Sequence, residues 1–115
     1  MKNLIITSTF NPPSFLIVGS PLNEETLRRM EEGIPTVLST GVSRSQKTSR
    51  FMNRDSSNSW AMELSQHFCD ELHRAAVALV IIESVTSEGW VLRSSSSSED
   101  SESGKCRITL FFVRA

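Results

Sequence analysis

A long apolar period dominates the C-terminal half of the chain. Between residues 58 and 88, apolar side chains recur at intervals of four and three, which is the spacing of one face of an α-helix. Asn58 or Ser59 can cap its start, and Gly89 can adopt the left-handed conformation that follows a helix end. The pattern therefore predicts a helix over residues 58–88. Its apolar stripe consists of Trp60, Leu64, Phe68, Leu72, Ala75, Leu79 and Ile82.

The two halves of this predicted helix differ in composition. Up to Arg74 the segment is amphipathic, whereas residues 75–82 are apolar on every face and need cover on more than one side. A strand over residues 77–82 is an alternative, because periodicity alone does not separate a short β-branched run from a buried helix. The unbroken phase of the stripe favours the helix. A break near Ala75 is a further alternative, because a continuous helix would extend about 45 Å.

The N-terminal half contains shorter apolar runs. Residues 3–9 and 15–19 predict two strands separated by the Pro12-Pro13 pair, and the prolines suggest that the first strand lies at a sheet edge. Residues 23–32 predict a short helix, with Asn23 as its N-cap and Gly33 at its end. Residues 34–40 are apolar and β-branched enough to predict a third strand.

The C-terminal segment reads as a β-hairpin. Residues 90–93 and 105–114 predict two antiparallel strands, joined by a long, flexible loop at 94–104 that is acidic and rich in serine. In the last strand, alternation places Cys106, Ile108, Leu110 and Phe112 on the face that the helix covers, and Arg107, Thr109, Phe111 and Val113 on the other. The sequence thus predicts an α+β fold. We expect a two-layer sandwich, with the long helix packed on a small, mainly antiparallel sheet that ends in this hairpin.

Length and composition limit the class of protein. The 115 residues fit one domain, 1–115, with a polar flexible connection at 42–57 and the loop at 94–104. The net charge of −1 gives no general attraction to nucleic acid. The longest apolar run is too short to span a membrane, and Asn11-Pro12-Pro13 interrupts any secretory signal. Two cysteines form no disulfide framework, so we expect an intracellular protein, cytoplasmic or nuclear.

Few residues suggest chemistry. Cys69 and His73 have i, i+4 spacing, which is compatible with a nucleophile and its base or with half of a metal site. Either would need further partners, and Cys106 could join them if it faced the helix. Two ordinary buried cysteines are the default interpretation. The chain has no glycine-rich phosphate loop and no Gly-x-Ser-x-Gly elbow. We therefore predict no enzymatic activity, no metal and no cofactor.

Surplus apolar surface suggests binding to another protein. The apolar helix half exceeds what one small sheet can cover, and the last strand carries apolar side chains on its outer face. We expect a non-enzymatic interaction module, an adaptor or complex subunit that binds a protein partner or a second copy. We also expect the last strand to offer an edge for β-augmentation. The predicted partner-binding residues are Phe111, Val113, Trp90, Val77 and Ile81.

Two polar segments give further predictions. The first is nucleic-acid binding, the alternative function, with phosphate contacts from Arg44, Lys47, Arg50 and Arg54 in the basic 44–54 loop and stacking from Phe51. The second is phosphorylation of Ser96 and Ser97, each of which has an acidic residue three positions on.

Overall fold

One antiparallel sheet and two helices form the described part of the chain. The computed structural model describes residues 1–10, 13–37, 50–53, 58–64, 69–100, 102–103 and 105–115. The helices are α1 (Glu24–Thr36) and α2 (Glu71–Thr86). The strands are β1 (Lys2–Phe10), β2 (Ser14–Gly19), β3 (Met52–Asn53), β4 (Ser59–Glu63), β5 (Val91–Glu99) and β6 (Cys106–Arg114). They form an open sheet in the order β3-β4-β2-β1-β6-β5, which confirms the predicted α+β class.

β1 lies in the middle of this sheet. It pairs with β2 on one side and with β6 on the other, so that Ile6 lies opposite both Ile17 and Leu110. The prediction of an edge position was wrong. Its basis was the proline pair, but Pro13 lies outside both strands and β1 itself contains no proline. β1 can therefore form ladder hydrogen bonds on both sides.

Alternate residues of the central strands form the core. We call the face of the sheet that bears them the inner face, and the opposite face the outer face. The inner-face side chains belong to one buried apolar cluster with residues of both helices, including Met30, Ile34, Val77 and Ile81. The buried inner-face members include Leu4, Ile6, Phe10, Phe15, Ile17, Met62, Leu110 and Phe112.

Helix α1 is longer than its sequence signals predicted. Asn23 is the N-cap in an extended conformation, as predicted, but the helix continues through Gly33 and Pro35 to Thr36. The prediction of a strand from residue 34 was therefore wrong over 34–36, and residues 38–40 lie outside the described residues. Ile34 is completely buried, which extends the helical face. A Cβ at Gly33 would lie 3.0 Å from Cγ1 of Val80, so this glycine permits close packing of the helices.

The predicted helix over residues 58–88 was wrong in its first half. Residues Ser59–Glu63 form β4, and α2 begins only after Asp70. Asp70, rather than Asn58 or Ser59, is the N-cap, and its carboxylate accepts a 2.9 Å hydrogen bond from the His73 backbone N–H. Trp60 and Leu64 are four residues apart. That spacing places two side chains on one face of a helix, and it also places them on one face of a strand, in which every second side chain points the same way. Pairing with β2 decides for the strand.

The buried face of α2 differs from the predicted stripe. Val77, Ile81 and Val85 are buried, whereas Leu72 and Leu79 are 75% and 55% exposed. Residues 77–82 are helical, so the strand alternative is excluded. Because this segment is apolar on every face, its periodicity does not identify the face that packs on the sheet.

The hairpin is more regular than predicted. β5 extends through the serine run to Glu99, so residues 94–99 belong to a strand and not to a loop. Pairing with β6 orders this polar segment through the backbone, with a β-bulge between Leu92 and Ser94. The prediction that β6 forms an edge was also wrong, because β6 lies between β1 and β5.

Candidate functional site

The best-defined polar cluster in the described chain surrounds Glu88. Its side chain is only 5% exposed, and its carboxylate accepts hydrogen bonds from the Asn23 N–H at 2.8 Å and from Trp90 Nε1 at 3.2 Å. Nη1 of Arg114 lies 3.1 Å from the same carboxylate, and the Arg114 guanidinium stacks 4.9 Å from the centre of the Trp90 ring. These contacts connect the start of α1, the end of α2 and the end of β6.

The Glu88 carboxyl has a lowered pKa. Burial tends to raise its pKa, but hydrogen bonds with Thr26, Asn23 and Trp90 and the charge of Arg114 outweigh that tendency. The pKa therefore lies below its ordinary value of 4.5, and the group is ionised at neutral pH. An ionised carboxylate whose oxygens are paired with donors from three elements stabilises the packing of those elements. We therefore assign a structural role to this cluster.

Three of the predicted partner-binding residues lie in the hydrophobic core. Val77, Ile81 and Trp90 are at most 1% exposed and pack in the core cluster. Such side chains are not accessible to a partner, so they are corrected to core residues. Gly89, with φ of 94°, provides the predicted left-handed turn that directs Trp90 inward.

The other two predicted residues, Phe111 and Val113, lie on the outer face. There, Ile5 is opposite Val18 on β2 and opposite Phe111 on β6, while Val113 is opposite Val91 on β5. We call these five residues the outer patch. Cross-strand partners on one face are in contact range, so the patch is continuous across four strands.

The outer patch is partly accessible, and most of the side chains around it are polar. Ile5, Val18 and Val91 are 37%, 41% and 55% exposed, Phe111 is half-buried, and Val113 is 9% exposed. Neighbouring outer-face positions are the half-buried Leu16 on β2 and the uncharged polar residues Asn3, Thr7, Ser94 and Thr109. An apolar centre with a polar rim is typical of protein-binding surfaces. Sequence reasoning missed Ile5 and Val18, because only the strand register places them beside Phe111.

The basic segment is described only in part. Arg50 is exposed, whereas Arg44, Lys47 and Arg54 lie outside the described residues. Phe51 is 8% exposed, and its backbone N–H donates a 2.8 Å hydrogen bond to Glu31 Oε1. The Phe51 ring is therefore not available to stack on a base.

The cysteine and histidine candidates do not form a described catalytic group. Cys69 is completely buried, Cys106 is half-buried, and neither forms a disulfide. The His73 imidazole contacts the Asp70 carboxylate at the N-terminus of α2, and hydrogen bonds from the His73 backbone and ring lower the pKa of Asp70. Among the described residues, no three His, Cys, Asp or Glu side chains are placed to hold a metal ion.

The two predicted phosphorylation sites lie on the edge strand. Ser96 is opposite Thr109 and Ser97 is opposite Ile108, so the two serines point to the outer and inner sides respectively. Both side chains are exposed.

The fold and this surface define a small α+β protein with an open antiparallel sheet. A similar solved structure is that of a conserved kinetoplastid-specific protein from Trypanosoma cruzi, with 47% identity and a TM-score of 0.83. The match covers 100% of this chain and 97% of that one, so this chain belongs to the same family. No family model and no curated protein matches the chain. Within the described residues, neither helix has the length and apolar character needed to cross a membrane.

Proposed function

We propose that this protein is a non-enzymatic interaction module that binds a protein partner, or a second copy of itself, through the outer patch. In this proposal the chain is a two-layer sandwich whose helices cover one face of the sheet, and the second face is left for binding. The observation that supports it is the continuous row Val18, Ile5 and Phe111 across the three neighbouring strands β2, β1 and β6.

The physical argument concerns the cost of exposing this row to water. These neighbouring β-branched and aromatic side chains are in contact with water, which is unfavourable. Only a second surface that covers them removes that contact. Exposed single apolar residues are ordinary, but a continuous patch with a polar rim commonly marks an interface. Burial of such a patch contributes roughly 25 cal/mol for each Å² of apolar surface removed from water.

The test compares one outer-patch variant with one matched variant elsewhere. Ile5→Lys adds a charge at the centre of the patch, and Leu79→Lys adds the same charge at an exposed apolar position of α2. A partner captured with the wild-type chain is purified, and its affinity for all three chains is measured by calorimetry. We expect Ile5→Lys to weaken binding at least ~10-fold, as a lost interface centre does, and Leu79→Lys to leave it unchanged.

The proposal fails if the wild-type chain is a monomer for which no saturable partner exists, or if both lysine variants bind as wild type does. Circular dichroism of each variant establishes that the fold is retained.

The alternative is nucleic-acid binding by the basic segment of residues 44–54. It is supported by the exposed cation at Arg50, and by three further cations at positions 44, 47 and 54. It predicts an affinity that falls steeply with salt and a shallower salt dependence when Arg44, Arg50 and Arg54 are replaced by glutamine. Binding to the outer patch predicts little change from either treatment.

A further inference from the structure

The two edges of the sheet are very different. At one end β3 has two residues, and at the other end β5 has nine. The side of an edge strand that faces away from its sheet carries unpaired N–H and C=O groups, which can pair with a strand of another molecule. In the described part of the chain, β5 pairs only with β6, so its second side presents such a row.

The β5 edge lacks the usual protection against pairing. Natural edges are commonly protected by prolines, lysines, bulges or very short strands. β5 has a bulge at Arg93, but the following residues 94–98 are five consecutive serines, all exposed, with no charge and no proline. Serine side chains are small, so a second strand can approach the backbone without burying a charged group.

We infer that β5 pairs with β5 of a second copy of this chain, in antiparallel orientation. The charges at the two ends of the strand provide the argument. Arg93 lies at one end, and Glu99 and Asp100 lie at the other. Antiparallel pairing brings opposite charges together at both ends, whereas parallel pairing brings like charges together. Opposite charges across a strand pair stabilise it and like charges destabilise it.

The alternation of side chains fixes the register to a small set. In a continuous sheet, each residue lies opposite a residue of the same face. A pairing centred on one residue meets this condition, and centring it on Ser96 also places all five serines opposite serines, with Ser96 opposite its own copy. The two copies are then related by a twofold axis perpendicular to the sheet. Twofold symmetry is the commonest symmetry of homo-oligomers. It leaves both outer patches exposed on one side, so this contact is separate from partner binding at the outer patch.

The experiment measures mass in solution by sedimentation over a range of protein concentrations. The wild-type chain should approach twice its 12.8 kDa as concentration rises. Ser96→Lys should stay at the mass of one chain, because it places two like charges directly opposite each other. Ser96→Thr changes the same position without adding a charge, and threonine favours strands, so this variant should associate at least as well as wild type does. Circular dichroism verifies that all three chains are folded.

A charge exchange tests the register itself. Ser96→Glu alone should also remain a single chain, whereas an equimolar mixture of Ser96→Lys and Ser96→Glu should regain the mass of a dimer. A wild-type chain that stays monomeric overturns the inference, as does a Ser96→Lys chain that dimerises normally. If Ile5→Lys abolishes the dimer and Ser96→Lys does not, the second copy binds the outer patch, so the edge inference fails while the proposed function stands.

Discussion

Phe111 and Phe112 are neighbours in β6 and occupy opposite faces of the sheet. Phe112 is completely buried among inner-face and helical residues, whereas Phe111 is half-buried beside Ile5 on the outer face. The two side chains have the same chemistry, so their difference comes only from the face that the helices cover. The comparison separates the apolar residues that hold the fold from those that remain available for binding.

The largest expected effect tests this separation directly. Phe112→Ala removes a fully buried ring and should lower the free energy of unfolding by ~3–5 kcal/mol. Phe111→Ala should lower it by a smaller amount, ~1–2 kcal/mol, because the ring keeps part of its contact with water in the folded chain. Unfolding by urea, followed by circular dichroism, measures both. Equal losses would show that the outer face is as important to stability as the inner face.

A smaller effect on stability is expected at the polar cluster around Glu88. Glu88→Gln keeps the shape of the side chain but removes the charge that Arg114 and the surrounding donors stabilise. We expect a loss of ~1.5–3 kcal/mol at pH 7, the range for hydrogen bonds to a charged group. The control is Glu83→Gln, an exposed position in the last turn of α2, which should change stability by less than ~0.5 kcal/mol.

The Glu88 prediction has a definite pH dependence. The pKa of Glu88 is lower in the folded chain than its ordinary value of 4.5, so the unfolded chain binds the proton more readily. Its contribution is fully present above pH 4.5 and is lost as the pH falls through the lower folded pKa. The gap in stability between wild type and Glu88→Gln should therefore be constant near neutral pH and shrink below pH 4.5. A gap that widens on acidification would contradict the assignment.

The sequence predicted β6 and its two faces well, because the alternation of residues 106–113 has a single interpretation, but it assigned most of β5 to a loop. It predicted α2 only in part. Residues 60–64 have a spacing shared by helix and strand, and the choice depends on pairing with β2, which is remote in sequence. Ile5 and Val18 were not recognised as site residues for the same reason. Local patterns give the faces of each strand, but the neighbours on a face come from the register between strands.

The smallest effect on stability is expected from phosphorylation of Ser96. Its side chain is exposed on the outer side of β5, so a phosphate there remains in water and should change the free energy of unfolding by less than ~0.5 kcal/mol. The effect on association should be much larger. In the register centred on Ser96, two phosphates of nearly two negative charges each would lie opposite each other. We therefore expect a chain phosphorylated by an acidophilic kinase, with the site located by mass spectrometry, to be folded and monomeric. A chain phosphorylated at Ser96 that still dimerises would show that the dimer contact does not include the β5 edge. If the kinase modifies Ser97, on the inner side, in place of Ser96, the same measurement is made on that chain.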